Sequence, residues 1–259
     1  MPFIECGGER FHIEVEGPAE APALLLSNSL SCNLSMWDHQ AASLAGRFRV
    51  IRYDGRGQGA SVNSPGPCTI GQLGRDALSI LDGLGIARAD FCGLSMGGMV
   101  GMWLLTNAPG RINRAVLANT SAQMGPPSLW NDRIALARAG GMQATVEPTV
   151  QRWFPPAFHA RAPEVVDRMR AMVRDTPLQG YLACCEAIRD MDQRSSIQAI
   201  TTPTMVLVGA LDPATTPAAG RFIHDAIPGS TLVTLQTGHI SAVEQPEAFS
   251  REVERHLAG

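Results

Sequence analysis

Residues 89–98 read Ala89-Asp90-Phe91-Cys92-Gly93-Leu94-Ser95-Met96-Gly97-Gly98, and this stretch decides the fold. The run over 89–94 has the length of a buried strand, and it hands over to a helix within Gly93-Leu94-Ser95-Met96-Gly97. A serine held on a strained strand-to-helix turn needs small residues two places before and after it. The backbone can then close tightly and lift Oγ into the open, which is the logic of a nucleophile elbow. Five residues of this kind arise by chance in roughly one chain in ten of this length, so the surroundings must carry the reading.

Outward from the elbow, strands and helices alternate. Toward the N-terminus the pattern predicts an edge or hairpin strand over 10–16, a continuous apolar strand over 23–27, and a helix over 36–44. A strand over 48–53 and a helix over 70–84 follow. Past the elbow it predicts a helix over 98–107, stopped by Ala108-Pro109-Gly110, and a strand over 115–119. From Met124 to about Arg194 the apolar β runs give way to helical pieces separated by prolines 126–127, 148, 155–156, 163 and 177. The α/β rhythm returns with strands over 204–208 and 231–235 and helices over 217–227 and 246–257. The expected architecture is α/β, a doubly wound, mostly parallel sheet with a helical cap insertion. Its parts are a first core segment over 1–123, the cap over 124–194 and a second core segment over 195–259.

Composition narrows the chemistry. The 259 residues carry a net charge of −3 and are 45% hydrophobic, enough for a large core and without the basic excess that nucleic acid or an anionic membrane would favour. A small-molecule partner is expected, and a homo-oligomer is left open. All 21 basic residues are arginine. That excludes a Walker lysine, a Schiff base and pyridoxal phosphate attachment. Cys6, Cys32, Cys68, Cys92, Cys184 and Cys185 lack zinc-type spacing and read as reduced thiols. Met1 to Cys6 has no leader character and no run is long enough to span a bilayer, so a cytoplasmic protein is expected.

A serine hydroxyl is a poor nucleophile at neutral pH; it needs a histidine base, and that histidine needs an acid to fix its tautomer. Asp212, in Gly209-Ala210-Leu211-Asp212-Pro213, follows the strand over 204–208. His239, in Thr237-Gly238-His239, follows the strand over 231–235. Both fall at C-terminal strand ends, where open α/β sheets bind ligands, and the order Ser95, Asp212, His239 is the one this elbow type uses. His12, His39, His159, His224 and His256 are placed in strands, helices or the cap, and Asp190 and Asp192 are the alternative acids. Ester cleavage also needs two N–H donors at the developing oxyanion. Met96, at the start of the helix, supplies one, and Leu30, in Asn28-Ser29-Leu30-Ser31, is the candidate for the other. No metal or organic cofactor is expected.

One competing motif is Gly55-Arg56-Gly57-Gln58-Gly59-Ala60, which fits a dinucleotide fingerprint, with Asp76 at about the expected distance. Such a site needs the last small residue to open a helix. Asn63-Ser64-Pro65-Gly66-Pro67 argues against one there.

Taken together, Asp54 to Gly59, Gly93 to Gly98, the loop around Asp212, and Gly238-His239 with Glu244 to Phe249 resemble the α/β-hydrolase fold family over essentially the whole chain. Within it, Ser27-Asn28-Ser29-Leu30, Asn119-Thr120-Ser121-Ala122 and Trp130-Asn131-Asp132-Arg133-Ile134 are most similar to 3-oxoadipate enol-lactonases of aromatic catabolism. That resemblance implies opening of an enol-lactone that bears a carboxylate, giving 3-oxoadipate. An anionic lactone entering a partly desolvated pocket needs a paired cation, so Arg133 is the expected substrate-binding residue and Trp130 an apolar wall. The plainer reading makes Arg133, Arg138 and Arg152 solvated faces of cap helices. Alternatives on the same triad are a general carboxylesterase, a carbon–carbon bond hydrolase and a cofactor-free haloperoxidase. From another class, the fold could serve as a non-catalytic ligand receptor. Dehalogenases and epoxide hydrolases fit less well, because those relatives use aspartate where this chain has Ser95.

Overall fold

The computed structural model describes residues 3–63 and 68–259. Its centre is an eight-stranded sheet: β1 (Phe3–Cys6), β2 (Glu9–Glu16), β3 (Ala23–Ser27), β4 (Arg49–Tyr53), β5 (Ala89–Leu94), β6 (Ile112–Ala118), β7 (Thr204–Gly209) and β8 (Thr231–Leu235), in the order β1-β2-β4-β3-β5-β6-β7-β8. Only the β1–β2 and β2–β4 pairs are antiparallel; the other pairs run parallel. Every residue of β5 and β7 is buried, and β3 exposes only part of Ala23. Continuous burial of this kind requires helices on both faces. Leu24, Leu25 and Leu26 are each fully enclosed, which is worth roughly 1.5–3 kcal/mol per side chain.

The first core helices are α1 (Asp38–Leu44), α2 (Ile70–Gly83) and α3 (Met96–Asn107). The edge strand β1 has no counterpart in the sequence reading: its four residues are too few to show a period. The expected helix over 36–44 is a 3₁₀ turn over Leu34–Trp37 running into α1. α3 opens at Met96, two residues before the expected start, because Gly97 and Gly98 pack against backbone and Thr120 and are helical despite their low propensity.

Between β6 and β7 stand α4 (Pro127–Trp153), α5 (Pro156–Arg161), α6 (Pro163–Arg174) and α7 (Leu178–Asp190), where α4 packs on α6 and α7. Prolines 127, 156 and 163 each sit in the first turn of a helix, where a missing N–H costs nothing. Pro148 does not separate two helices as expected. The break in α4 lies at Gly141, whose φ of 65° and ψ of −173° kink the helix. The chain closes with α8 (Pro217–Ala226), the short α9 (Ser241–Glu244) and α10 (Pro246–Leu257). The order in which strands are added reverses at β3, whose neighbours β4 and β5 lie on opposite sides of it, so a crevice opens at the carboxyl ends of β3 and β5.

Candidate active site

The elbow conforms to its steric rationale. Ser95 has φ 59° and ψ −114°, a strained conformation for a side-chain-bearing residue. It is held by surrounding bonds: its N–H donates to Ala118 O (2.9 Å), while its carbonyl accepts from Thr120 Oγ1 (2.7 Å) and Met99 N (3.1 Å). A Cβ on Gly93 would lie 2.2 Å from Gly97 O, and one on Gly97 would lie 2.0 Å from Ser27 O. Neither obstacle is a side chain that could swing away, so both positions demand glycine.

His239 Nε2 lies 2.9 Å from Ser95 Oγ, and His239 Nδ1 lies 2.8 Å from Asp212 Oδ2. All three residues are buried. Asp212 is well supplied with donors: Oδ1 accepts from Ala214 N and Thr215 N, and Oδ2 from Thr215 Oγ1 (2.7 Å) and Asn119 Nδ2 (3.1 Å). Burial pulls the Asp212 carboxyl upward, but the charge and hydrogen bond of His239 and the Thr215 donors outweigh it. The net position is below the ordinary carboxylate range. Among the other histidines, His12 pairs with Asp54 (2.8 Å) on β2 and His224 bonds Ser230 (2.8 Å), both away from Ser95. Asp190 and Asp192 are engaged by Arg189 and Arg194.

The histidine loop is fixed from two directions. Its Gly238 N–H donates to Glu244 Oε2 (2.7 Å), and His239 N–H donates to the carbonyl of Trp153 at the end of α4 (2.8 Å). Asn119, with φ 42°, ties the rest together: its Nδ2 reaches both Asp212 and Gly238 O, and its Oδ1 accepts from Ser241 Oγ. Asn119 and Thr215 are residues whose contribution the sequence did not disclose: Thr215 lies only three places from Asp212 in an ordinary turn, and the partners of Asn119 are distant in the chain. Asn119 and Asp212 are 93 residues apart.

Leu30 lies on the loop after β3 and borders the same pocket as Ser95 and His239. Its neighbours are committed elsewhere: Ser29 N–H to Met36 Sδ, and Ser31 N–H to Gln58 Oε1 (2.8 Å). Met96 opens α3, so its N–H has no intrahelical acceptor. The loop itself is anchored by Asn28, which bonds Tyr53 O and Trp37 Nε1 and accepts from Gly97 N–H.

Over the triad the cap supplies Trp130, Arg133, Thr149, Arg152, Trp153 and Tyr181. Trp130 is buried, and the Arg133 guanidinium stacks 4.5 Å from its ring centre. Arg138 points elsewhere, pairing with Glu186 on the exposed side of the cap. Arg152, grouped with it as a surface residue in the sequence reading, instead lines the pocket. Burial, then the charge of Arg133, pull it down to about 10. Among the described residues, no carboxylate neutralises Arg133 or Arg152; the one hydrogen bond of Arg152 is to Thr149 Oγ1 (3.4 Å). Two cations facing one cavity without an acid make a place for an anion.

The glycine-rich loop after β4 does something other than cradle a phosphate. Asp76 binds Arg56 through two hydrogen bonds of 2.8 and 2.9 Å. A Cβ on Gly57 would lie 2.5 Å from Gly180 Cα of the cap, and one on Gly59 would overlap the Asp54 carboxylate. The next helix, α2, begins only at Ile70; residues 64–67, whose prolines argued against an earlier helix, lie outside the described residues. Among the described residues no cluster of His, Cys, Asp or Glu is placed to hold a metal ion, and no helix is long and apolar enough to cross a membrane. The six cysteines form no disulfide.

Known proteins are similar to this chain in sequence and in fold. The chain is 44% identical over 238 residues to 3-oxoadipate enol-lactonase 2 of Acinetobacter baylyi, covering 92% of this chain and 89% of that one. It is 36% identical to 3-oxoadipate enol-lactonase 1 of the same organism, covering 93% and 91%. The crystal structure of the enol-lactonase from Burkholderia xenovorans LB400 superposes with a TM-score of 0.98 at 42% identity, over the whole of both chains. A family model described as the alpha/beta hydrolase fold matches residues 22–246. With that match, and with relatives this similar over nine-tenths of its length, the chain belongs to the α/β hydrolase fold family.

Proposed function

We propose that the protein is a carboxylic ester hydrolase that opens 3-oxoadipate enol-lactone to 3-oxoadipate, with Ser95 as nucleophile, His239 as base and Asp212 as its orienting acid. The observation that carries this reading is one pocket holding both the 2.9 Å Ser95–His239 contact and two arginines without acids. The two enol-lactonase relatives from Acinetobacter baylyi support the choice of lactone.

His239 Nε2 takes the Ser95 proton as Oγ attacks the lactone carbonyl. Charge moves onto the carbonyl oxygen, where the N–H groups of Leu30 and Met96 form the oxyanion hole. Collapse breaks the ring C–O bond; the enol oxygen leaves with the proton from His239, and the enol becomes the ketone. Water then gives a proton to His239 and attacks the acyl group. Ser95 departs reprotonated, and the second carboxylate is released. Throughout, Asp212 stays ionised and stabilises the imidazolium without taking its proton. Arg133 and Arg152 hold the carboxylate that the substrate already carries, and Trp130 walls the apolar side of the ring.

Residues 124–194 act as the substrate-selecting cap between core segments 1–123 and 195–259. A cytoplasmic location fits six unpaired thiols. The test is kcat/KM of the purified protein on the anionic enol-lactone against a panel of neutral aryl esters. The lactone is expected to be favoured; preference for the aryl esters would return the protein to a general carboxylesterase.

A further inference from the structure

Ser31 combines three features that the proposed function leaves unused. Its φ of 63° places a side-chain-bearing residue in the left-handed region, a conformation that such residues adopt only at a cost. Its N–H is spent on Gln58 Oε1 (2.8 Å), and Gln58 is itself fully buried and bonds Cys184 of α7. Its hydroxyl, in a residue only 1% exposed, has no hydrogen-bond partner among the described residues, and the residue borders the pocket that holds Ser95, Arg133 and Arg152. A buried hydroxyl without a partner is a standing cost, and here it sits on a strained backbone pinned from behind. Filling that bond with ligand recovers the cost.

We propose that Ser31 is a substrate-binding residue whose hydroxyl donates to the carboxylate of the bound lactone, completing the Arg133–Arg152 subsite. The inference rests on the anionic-lactone reading above. A carboxylate offers about four lone-pair sites, and two guanidinium groups on one side of it leave some unfilled. The oxyanion has its two N–H donors in Leu30 and Met96, so a hydroxyl on the neighbouring residue is available to a different part of the ligand. Ser31 also stands where the loop after β3 meets α7, through Gln58 and Cys184, which is the side of the pocket formed by the cap.

The experiment compares the anionic enol-lactone with its neutral methyl ester, first in the wild type and then in Ser31→Ala and Ser31→Gly. Wild-type preference for the anion is the premise; its absence would overturn the anionic-lactone reading itself and, with it, this inference. Given that preference, both variants should raise KM for the anion about 10- to 100-fold, the range expected for a lost hydrogen bond to a charged group. They should change kcat/KM for the methyl ester less than about threefold. Because the hydroxyl has no partner within the protein, the melting temperature should stay level or rise, and Ser31→Gly, free at positive φ, guards against strain in the alanine variant. Two results would overturn the assignment while leaving the lactone reading intact: unchanged kinetics on both substrates, or an equal fall in kcat on both, which would put the hydroxyl at the oxyanion.

Discussion

The core and the cap meet over one pocket, yet they are built on different principles. Below it, Ser95, Asp212 and His239 stand on turns at the ends of buried parallel strands, each fixed by backbone bonds and by glycines that tolerate no Cβ. Above it, Arg133 and Arg152 project from a kinked helix with no carboxylate partner, held mainly by stacking on Trp130 and a long bond to Thr149. The core is complete without a ligand, whereas the cap leaves charge unanswered until one arrives. In the proposed function, precision below serves bond-making and unmet charge above serves choice, so core substitutions should cut turnover on every ester and cap substitutions only on anions.

The largest break in that division comes from Ser95, the proposed nucleophile. Ser95→Ala should lower kcat on the lactone and on neutral esters alike by about 10⁴- to 10⁶-fold, measured by steady-state assay with the fold checked by circular dichroism. A smaller effect of the same kind is expected from Asn119→Ala. It strips one donor from Asp212 and leaves Gly238 O and Ser241 Oγ without their partner. That should cost about 10- to 100-fold in kcat on both substrates and about 1–3 kcal/mol of stability, read from turnover and thermal unfolding.

The seam between the two regions supplies an intermediate case. Gly57 and Gly180 touch backbone to backbone, and alanine at Gly57 would need its Cβ where Gly180 stands, at a φ of 72° that disfavours it further. Gly57→Ala should destabilise by about 2–4 kcal/mol and weaken selectivity for the anion more than turnover of a neutral ester, because it displaces the cap and not the triad.

The mildest effect belongs to the end of β5 away from the cap. Asp90 is buried, and that burial, only partly offset by Arg114, raises its carboxyl to about 6. The folded protein therefore holds this proton more tightly than the unfolded chain. The associated stability is present below about pH 4 and is lost as pH rises through about 6. Asp90→Asn should raise the melting temperature at pH 7 by a few degrees, roughly 1–2 kcal/mol, with the gain vanishing near pH 4 and kinetics unchanged at either.

The two regions also differed in how far the sequence disclosed them. In the core, local rules sufficed: Ser95 between two glycines, Asp212 and His239 just past apolar strands, and prolines at the starts of helices were all visible within a few residues. β1 was too short to carry a period. Asn119 escaped because its function lies in bonds to Asp212 and Ser241, 93 and 122 residues on. In the cap, Arg152 could not be placed from the phase of Arg133 and Arg138, since the kink at Gly141 resets the helix between them and Arg152, which lines the pocket while Arg138 meets Glu186 at the surface. Ser31 needed three-dimensional information entirely: neither its positive φ nor its unpartnered hydroxyl leaves a trace in the sequence.

The division of labour is tested most directly by kcat/KM of an Arg133→Ala, Arg152→Ala double variant on the anionic enol-lactone and its neutral methyl ester. The expected result is a fall of about 10²-fold or more on the anion, carried by KM, with the neutral ester changed by less than about threefold. Equal losses on both substrates, or no loss on the anion, would contradict it.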